Sequence, residues 1–211
     1  MKGVIISNGK KEGKDFYLSE IKDSNFLICC DGGLNIAYMY ELIPNLIIGD
    51  FDSVDSIALE YYKKKNVPIM QFDKEKDKTD TQIAVEYLLA EKFDNVVMLS
   101  CTGSRIDHTM ANISLLYKII DNNAFGCIKD SNNIIYLVKK EIALRNLKGR
   151  IISLLPFTQY VEGINSKGLY YPLNNSAMEF GNPYGISNII MENEAKIELK
   201  KGLLLAIISN D

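Results

Sequence analysis

Two acids two residues apart follow a short apolar run: Leu46-Ile47-Ile48 leads into Gly49-Asp50-Phe51-Asp52-Ser53. If the run is a strand, its period of two sends both carboxylates off the carboxyl end on one side. Two such charges repel unless a cation sits between them. The spacing suits Mg²⁺, a hard ion held by a few carboxylates with water and substrate phosphates completing its shell. A solvated loop in which Asp52 or Ser53 caps a helix starting near Asp55 is the plainer alternative.

Three further clusters each follow an apolar run. Cys30-Asp31-Gly32-Gly33-Leu34-Asn35 offers a tight turn, close backbone approach and a helix start with unpaired N–H groups for an anion, although Gly-Gly is also ordinary turn chemistry. Asp73-Lys74-Glu75-Lys76-Asp77-Lys78-Thr79-Asp80 has the alternating charge of an exposed loop, with Thr79 or Asp80 as an N-cap. The same placement puts Asp80 on the rim shared with Asp50 and Asp52, where it could complete a metal site while Lys76 and Lys78 meet phosphate. Gly103-Ser104-Arg105-Ile106-Asp107-His108, with Asn112 beyond, holds the only histidine and one of three arginines against 21 lysines. A guanidinium suits phosphate better than an ammonium does, and His108 and Asn112, four apart, share a helix face. A satisfied structural histidine is the plainer reading of His108.

The elements that must position these clusters fall into two grammars. Up to about residue 124, short β-rich runs (Val4–Ser7, Phe26–Cys30, Leu46–Ile48, Pro68–Phe72, Val96–Ser100) alternate with helical spacing at Ala58–Lys65, Thr81–Lys92 and from Asp107 onward. This predicts an α/β domain over 1–124: a mostly parallel sheet flanked by helices, with ligands gathering beyond the carboxyl ends of the strands. From 125 to 211 the pattern is strands and turns: Ile134–Val138, Ile151–Leu155, a turn-rich Gly163–Pro172, Ile186–Met191, Ala195–Leu199 and Leu203–Ile208. A smaller all-β sandwich or barrel is the expectation there, with the join near residues 122–126. In a parallel sheet all four clusters would converge on one edge.

Composition narrows the function classes. The chain has 211 residues and a net charge of −3 with no basic footprint, so nucleic acid is not an expected partner. No apolar run approaches the ~20 residues that span a bilayer, and neither end shows a targeting pattern, so a cytoplasmic location away from membranes is expected. Cys29, Cys30, Cys101 and Cys127 lack a C-x-x-C spacing and read as small buried residues. Neither G-x-x-x-x-G-K-[ST] nor G-x-G-x-x-G occurs, which argues against a P-loop or a dinucleotide site.

The ordered set D-G-G (Asp31 to Gly33), G-D-F-D-S (Gly49 to Ser53), K-D-K-T-D (Lys76 to Asp80) and G-S-R-I-D-H with a trailing Asn112 resembles the thiamin pyrophosphokinase family. The later Gly168-Leu169-Tyr170-Tyr171-Pro172-Leu173 and Gly185-Ile186-Ser187-Asn188 extend the likeness over most of the chain. The resemblance implies transfer of the β,γ-diphosphoryl group of ATP to thiamin, giving thiamin diphosphate and AMP. It implies Mg²⁺ on Asp50, Asp52 and Asp80, and catalytic parts for Asp52, Asp80 and Arg105. Asp31, Gly32, Gly33, Arg105, Asp107 and His108 would bind ATP, while Thr79, Asp80, Ser187 and Asn188 would contact the acceptor substrate. Family members are dimers whose active site lies between the α/β domain of one subunit and the β domain of the other, so a homodimer is implied.

Three departures stand out: Cys30 where alanine is common, Ser104 where glycine is frequent, and no tryptophan to stack on thiamin, a place that Tyr184, Tyr170 or Tyr171 could take. Asp50-Phe51-Asp52-Ser53-Val54 also resembles the nucleophile motif of haloacid-dehalogenase-type phosphatases, with Asp50 phosphorylated. That reading leaves three clusters and the β domain without a role. A non-catalytic nucleotide or thiamin sensor is the remaining alternative, disfavoured by the intact acidic set.

Overall fold

Six apolar runs make the parallel sheet: β1 (Lys2–Ile6), β2 (Phe26–Cys30), β3 (Leu46–Gly49), β4 (Ile69–Gln71), β5 (Asn95–Leu99) and β6 (Phe125–Lys129). They pair in the order β4-β3-β2-β1-β5-β6, every pair parallel. Continuous runs such as Leu46-Ile47-Ile48, all nearly inaccessible, are what two covered faces require. The covering helices are α1 (Lys14–Ile21), α2 (Gly33–Tyr40), α3 (Ser56–Lys64), α4 (Asp80–Ala90) and α5 (Ile106–Asp121). Because β1 pairs with β2 on one side and β5 on the other, the strand order reverses there and a crevice opens beyond the carboxyl ends.

The computed structural model describes residues 1–210. Its contacts divide the chain after Ser131. The first unit therefore runs past the expected join at residue 124, because β6 pairs in parallel with β5 and continues the first sheet. Only five residues, its glycine among them, form that strand, too short for its period to separate it from the loop before it.

The second unit carries two antiparallel sheets. One contains β7 (Asn133–Val138), β9 (Ile151–Pro156), β12 (Asn188–Ile189) and β14 (Leu204–Ser209), in the order β7-β14-β9-β12. The other contains β8 (Glu141–Arg145), β10 (Tyr160–Lys167), β11 (Ser176–Glu179) and β13 (Glu194–Glu198), in the order β11-β10-β13-β8. Ile152, Leu154, Leu204 and Ala206 from the first sheet and Ile142, Leu144, Val161 and Ile197 from the second share one buried cluster. That is a sandwich, with the alternation of buried and outward residues that one covered face dictates. Ile186–Met191, expected as a full strand, contains only the two-residue β12 and an isolated bridge from Ile190 to Leu169, because Ser187 takes a positive φ of 58° and breaks the extended run at its start.

No helix among the described residues is long and apolar enough to cross a membrane.

Candidate active site

All four acidic or glycine-rich clusters of the first unit leave the carboxyl ends of its strands. A cleft of about 770 Å³ opens there, lined by residues of the loops after β1, β2, β4 and β5, among them Asn8, Asp31, Asp80, Arg105 and His108. The turns into it are conformationally unusual. Asp31 (φ 47°), Phe51 (φ 66°) and Ser100 (φ 52°) all take left-handed backbone just after β2, β3 and β5. Such conformations cost about 1–3 kcal/mol each at non-glycine residues and persist only where the surroundings enforce them.

The enforcement is visible in hydrogen bonds. Asn35 on α2 donates to the Ser53 carbonyl (3.0 Å) and accepts from the Asp55 amide (2.8 Å), so one helix holds both ends of the Ser53–Asp55 turn. Asp50 Oδ1 accepts from the Asp52 amide at 3.0 Å, folding the two acids onto one side. Ser53 Oγ donates to Asp31 Oδ2 and accepts from Asn8 Nδ2 (3.2 Å), which stitches the loops after β1, β2 and β3 together. The helix cap that a plain solvated loop would assign to Asp52 or Ser53 belongs to Asp55, whose carboxylate accepts from the Ile57 amide at 2.9 Å. Asp52 and Ser53 are thereby released for other chemistry.

The carboxylates brought together are Asp31, Asp50 and Asp52, each with an oxygen within 4.8 Å of the others. Asp31 joins Asp50 and Asp52 because β2 and β3 are neighbours in the sheet. Its Oδ1 is buried and accepts no hydrogen bond among the described residues. A buried anionic oxygen without a donor is costly unless a cation meets it, so the donor set fits a hard divalent ion. Lys74 Nζ sits 2.6 Å from Asp52 Oδ2, and this ammonium holds the carboxyl below its ordinary range.

Asp80 stands outside that trio. As the first residue of α4 it is pulled toward the preceding loop, where Lys76 Nζ lies 3.1 Å from its Oδ1. Burial raises its pKa, against the pull of Lys76, with the charges of Asp31 and Asp50 adding to the rise. Of the expected set of Asp50, Asp52 and Asp80, the first two meet Asp31, while Asp80 lines the cleft near enough to Asp31 and Asp50 to feel their charges, its Oδ1 buried and, like that of Asp31, accepting no hydrogen bond among the described residues. The sequence places Asp31 on the same rim; pairing of β2 with β3 decides that it joins the acids.

Other expected site residues are partly engaged elsewhere. Thr79 Oγ1 caps α4 by accepting from the Gln82 amide at 3.1 Å. Arg105 forms a fork with Asp107, with Nε and Nη2 at 3.3 and 2.6 Å, and its guanidinium holds that carboxyl below the usual range. Asn112 is buried and donates to the Cys101 carbonyl (2.8 Å), so it builds the wall while His108 lines the cleft. Lys78 is drawn to Glu86 at 2.8 Å, where Lys118, Lys78 and Gln82 together lower the carboxyl to about 2. Gly32 and Gly33 start α2, which has no side-chain cap; the Leu34 and Asn35 amides of its first turn donate to the Asp31 and Gly32 carbonyls at 2.9 and 3.1 Å.

In the second unit, the Asn188 amide is spent on the backbone: Oδ1 accepts from the Tyr171 amide (3.0 Å) and Nδ2 donates to its carbonyl (2.7 Å). The Ser187 amide donates to Ser153 Oγ at 3.2 Å. The effect is to present Tyr170 and Tyr171 edge to face, centroids 4.7 Å apart, both largely exposed.

Two family models match the chain. "Thiamin pyrophosphokinase, catalytic domain" covers residues 17–127, and "Thiamin pyrophosphokinase, vitamin B1 binding domain" covers residues 136–204. The chain belongs to the thiamin pyrophosphokinase family. It is 31% identical over 172 residues to the thiamine pyrophosphokinase of Bacillus subtilis, an alignment spanning 81% of this chain and 80% of the relative. Thiamin pyrophosphokinase 1 of Caenorhabditis elegans is 27% identical over 175 residues, 78% of this chain and 70% of the relative. The crystal structure of the Bacillus subtilis thiamine pyrophosphokinase superposes with a TM-score of 0.91 at 28% identity, covering 100% of both chains. The catalytic-domain match begins at residue 17, beyond β1 and its loop, while the second match includes Ser187 and Asn188.

Asp80 offers a test of how a thiamin pyrophosphokinase site is poised. Its folded pKa is raised above the unfolded value, so the ionised form carries a stability penalty above the folded pKa that disappears below the unfolded one. Asp80→Asn should therefore raise the melting temperature at pH 7 by a few degrees. The gain should shrink on acidification, as the native carboxyl takes up its own proton. A melting-temperature difference that is flat from pH 4 to pH 8 would contradict this.

Proposed function

We propose that the protein transfers the β,γ-diphosphoryl group of ATP to the hydroxyl of thiamin, giving thiamin diphosphate and AMP. The observation that carries the reading is the meeting of Asp50 and Asp52 with Asp31, which lines the cleft, in a chain of this family. The thiamin oxygen attacks the β-phosphorus, an O–P bond forms, and the bond from that phosphorus to the oxygen bridging the α-phosphate breaks. Thiamin's alcohol is a poor nucleophile and the phosphorus is screened by anionic oxygens, so alignment and charge neutralisation must supply the rate.

Asp31, Asp50 and Asp52 would hold Mg²⁺, which when bound neutralises charge on the phosphate oxygens. Asp80, the more basic carboxylate, accepts the hydroxyl proton, and its contact with Lys76 keeps it aimed. Arg105 and His108 on the opposite loop face the nucleotide; Arg105 offsets charge accumulating on departing AMP, with Asp107 orienting the guanidinium. The Gly32 and Gly33 amides, at the turn into α2, receive phosphate oxygens. Thr79 contributes by setting the start of α4 and hence Asp80.

The acceptor side draws on the second unit, where Ser187 and Asn188 shape a surface bearing exposed Tyr170, Tyr171 and Tyr184. A tyrosine face there takes the stacking role that a tryptophan has in some relatives. A homodimer that completes the site from the partner subunit accords with the family resemblance, and sedimentation should give twice the chain mass. A cytoplasmic enzyme with small-molecule substrates is consistent with its charge and hydropathy.

The test is to incubate the purified protein with ATP, MgCl₂ and thiamin and identify the adenine product. AMP in equal amount to thiamin diphosphate supports the proposal. ADP indicates single phosphoryl transfer, and inorganic phosphate with an acyl-phosphate on Asp50 indicates a phosphatase.

A further inference from the structure

The loop after β1 carries a charge pair that the reaction scheme above leaves without a part. Gly9 and Lys10 line the cleft and are pinned to the loop after β5: the Gly9 amide donates to the Ser100 carbonyl (2.6 Å) and the Lys10 amide to the Thr102 carbonyl (2.7 Å). A Cβ on Gly9 would lie 2.3 Å from the Thr102 oxygen and 2.4 Å from that of Ser100, so only glycine permits this contact. Two residues beyond Lys10, the Glu12 side chain is 7% exposed, and its Oε1 accepts no hydrogen bond among the described residues. Lys10 Nζ stands 3.2 Å from that oxygen, while the Lys10 side chain is half exposed.

The Glu12 backbone is anchored at both its amide and its carbonyl. Its amide donates to the Tyr17 hydroxyl (3.0 Å), and its carbonyl accepts from the Tyr40 hydroxyl (2.7 Å). The Tyr17 hydroxyl in turn lies 2.7 Å from Ser100 Oγ. The other cleft cations use more accessible anchors: Lys74 on Asp52, Lys76 on Asp80, Lys78 on Glu86 and Arg105 on Asp107, whose side chains are 47%, 18%, 28% and 64% exposed. A buried carboxylate gives Lys10 a fixed point to pivot on, and losing that carboxylate's partner would leave a buried charge uncompensated. An ammonium has three donors, so Lys10 can keep its ion pair with Glu12 and offer donors to an anion in the cleft.

We propose that Lys10 binds the phosphate tail of the nucleotide, with Glu12 as its positioning residue. This rests on the nucleotide reading of the cleft given above. It assigns a phosphate contact to a loop outside the matched catalytic segment, residues 17–127.

The experiment is calorimetric titration of ATP, and separately of adenosine, into the wild type and the variants Lys10→Ala, Lys10→Arg and Glu12→Gln, with AMP formation followed in parallel. Lys10→Ala should weaken ATP binding about 10- to 100-fold, the worth of a charge-assisted hydrogen bond, and leave adenosine binding unchanged. Lys10→Arg should restore most of the ATP affinity. Glu12→Gln should raise KM for ATP by less than Lys10→Ala does, with kcat retained. If Lys10→Ala fails to fold, the double variant Lys10→Met/Glu12→Gln removes both charges and is read the same way.

Equal loss of ATP and adenosine would mark the pair as structural only and overturn the assignment, as would undiminished ATP binding. Wild type that binds ATP but forms no AMP would refute the proposed activity, and the ATP-against-adenosine difference would still decide Lys10. Wild type that does not bind ATP would overturn both.

Discussion

Asp31→Asn should lower kcat for AMP formation by about 10²–10³-fold, the usual cost of losing one preorganised charge-stabilising group. The substitution is mild for the backbone, since Asp31 sits at φ 47° and asparagine tolerates that region as well as aspartate does. Its chemical effect is large, because the buried Oδ1 that accepts no hydrogen bond becomes part of a neutral amide. Thermal unfolding gives a readout independent of turnover. A ligand that binds only the native state stabilises it in proportion to RT ln(1 + [L]/Kd), so MgCl₂ should raise the melting temperature of the wild type. That rise should be mostly lost in Asp31→Asn, while the metal-free variant should be at least as stable as wild type, because one of three mutually repelling carboxylates is gone. If Asp31→Asn kept its MgCl₂ response and Asp80→Asn lost it, the metal would be held by Asp50, Asp52 and Asp80 instead.

The second large effect is expected at Gly33. A Cβ there would stand 2.2 Å from the Ile6 carbonyl oxygen and 3.0 Å from that of Ser7. Both obstacles are backbone at the carboxyl end of β1, so no flexible side chain can move aside and α2 must lift from the sheet. Gly33→Ala should cost about 1–3 kcal/mol, seen as a lower urea midpoint with an unchanged slope. Because Asn35, two residues on in α2, ties down the Ser53–Asp55 turn, turnover and the MgCl₂ response should fall with stability. Gly13→Ala is the control: a methyl group added there would meet nothing within 4 Å, and its effect should stay within about ±0.5 kcal/mol. Equal midpoints for Gly33→Ala and wild type would show that α2 is free to shift.

The parallel sheet is legible in the sequence because its central strands are buried on both faces and so read as unbroken apolar runs; the expected Phe26–Cys30 matches β2 to the residue. Helices α3, α4 and α5 are legible from their period, and Thr79, one of two candidate caps, does cap α4. Helix α1 escapes sequence reasoning, since Lys14–Ile21 is eight residues long and buries only Tyr17, whereas α4 buries Thr81, Ala84, Val85 and Leu88. Strands β8 and β11 escape it for a related reason. Each is at most five residues long, and its alternation is too brief to stand out among turn residues.

The sequence by itself determined the chemistry on offer. Its acids, glycines and lone Arg-Asp-His cluster all follow apolar runs, and their order carries the family likeness. Tertiary structure alone decided which of those groups meet. The pairing of β2 with β3 joins Asp31 to Asp50 and Asp52, and the docking of the loop after β1 on the loop after β5 seats Lys10 at the cleft. The reason is physical: spacing along a strand or helix fixes which side chains share a face, whereas distance between segments far apart in the chain depends on strand order and backbone strain that no local period encodes.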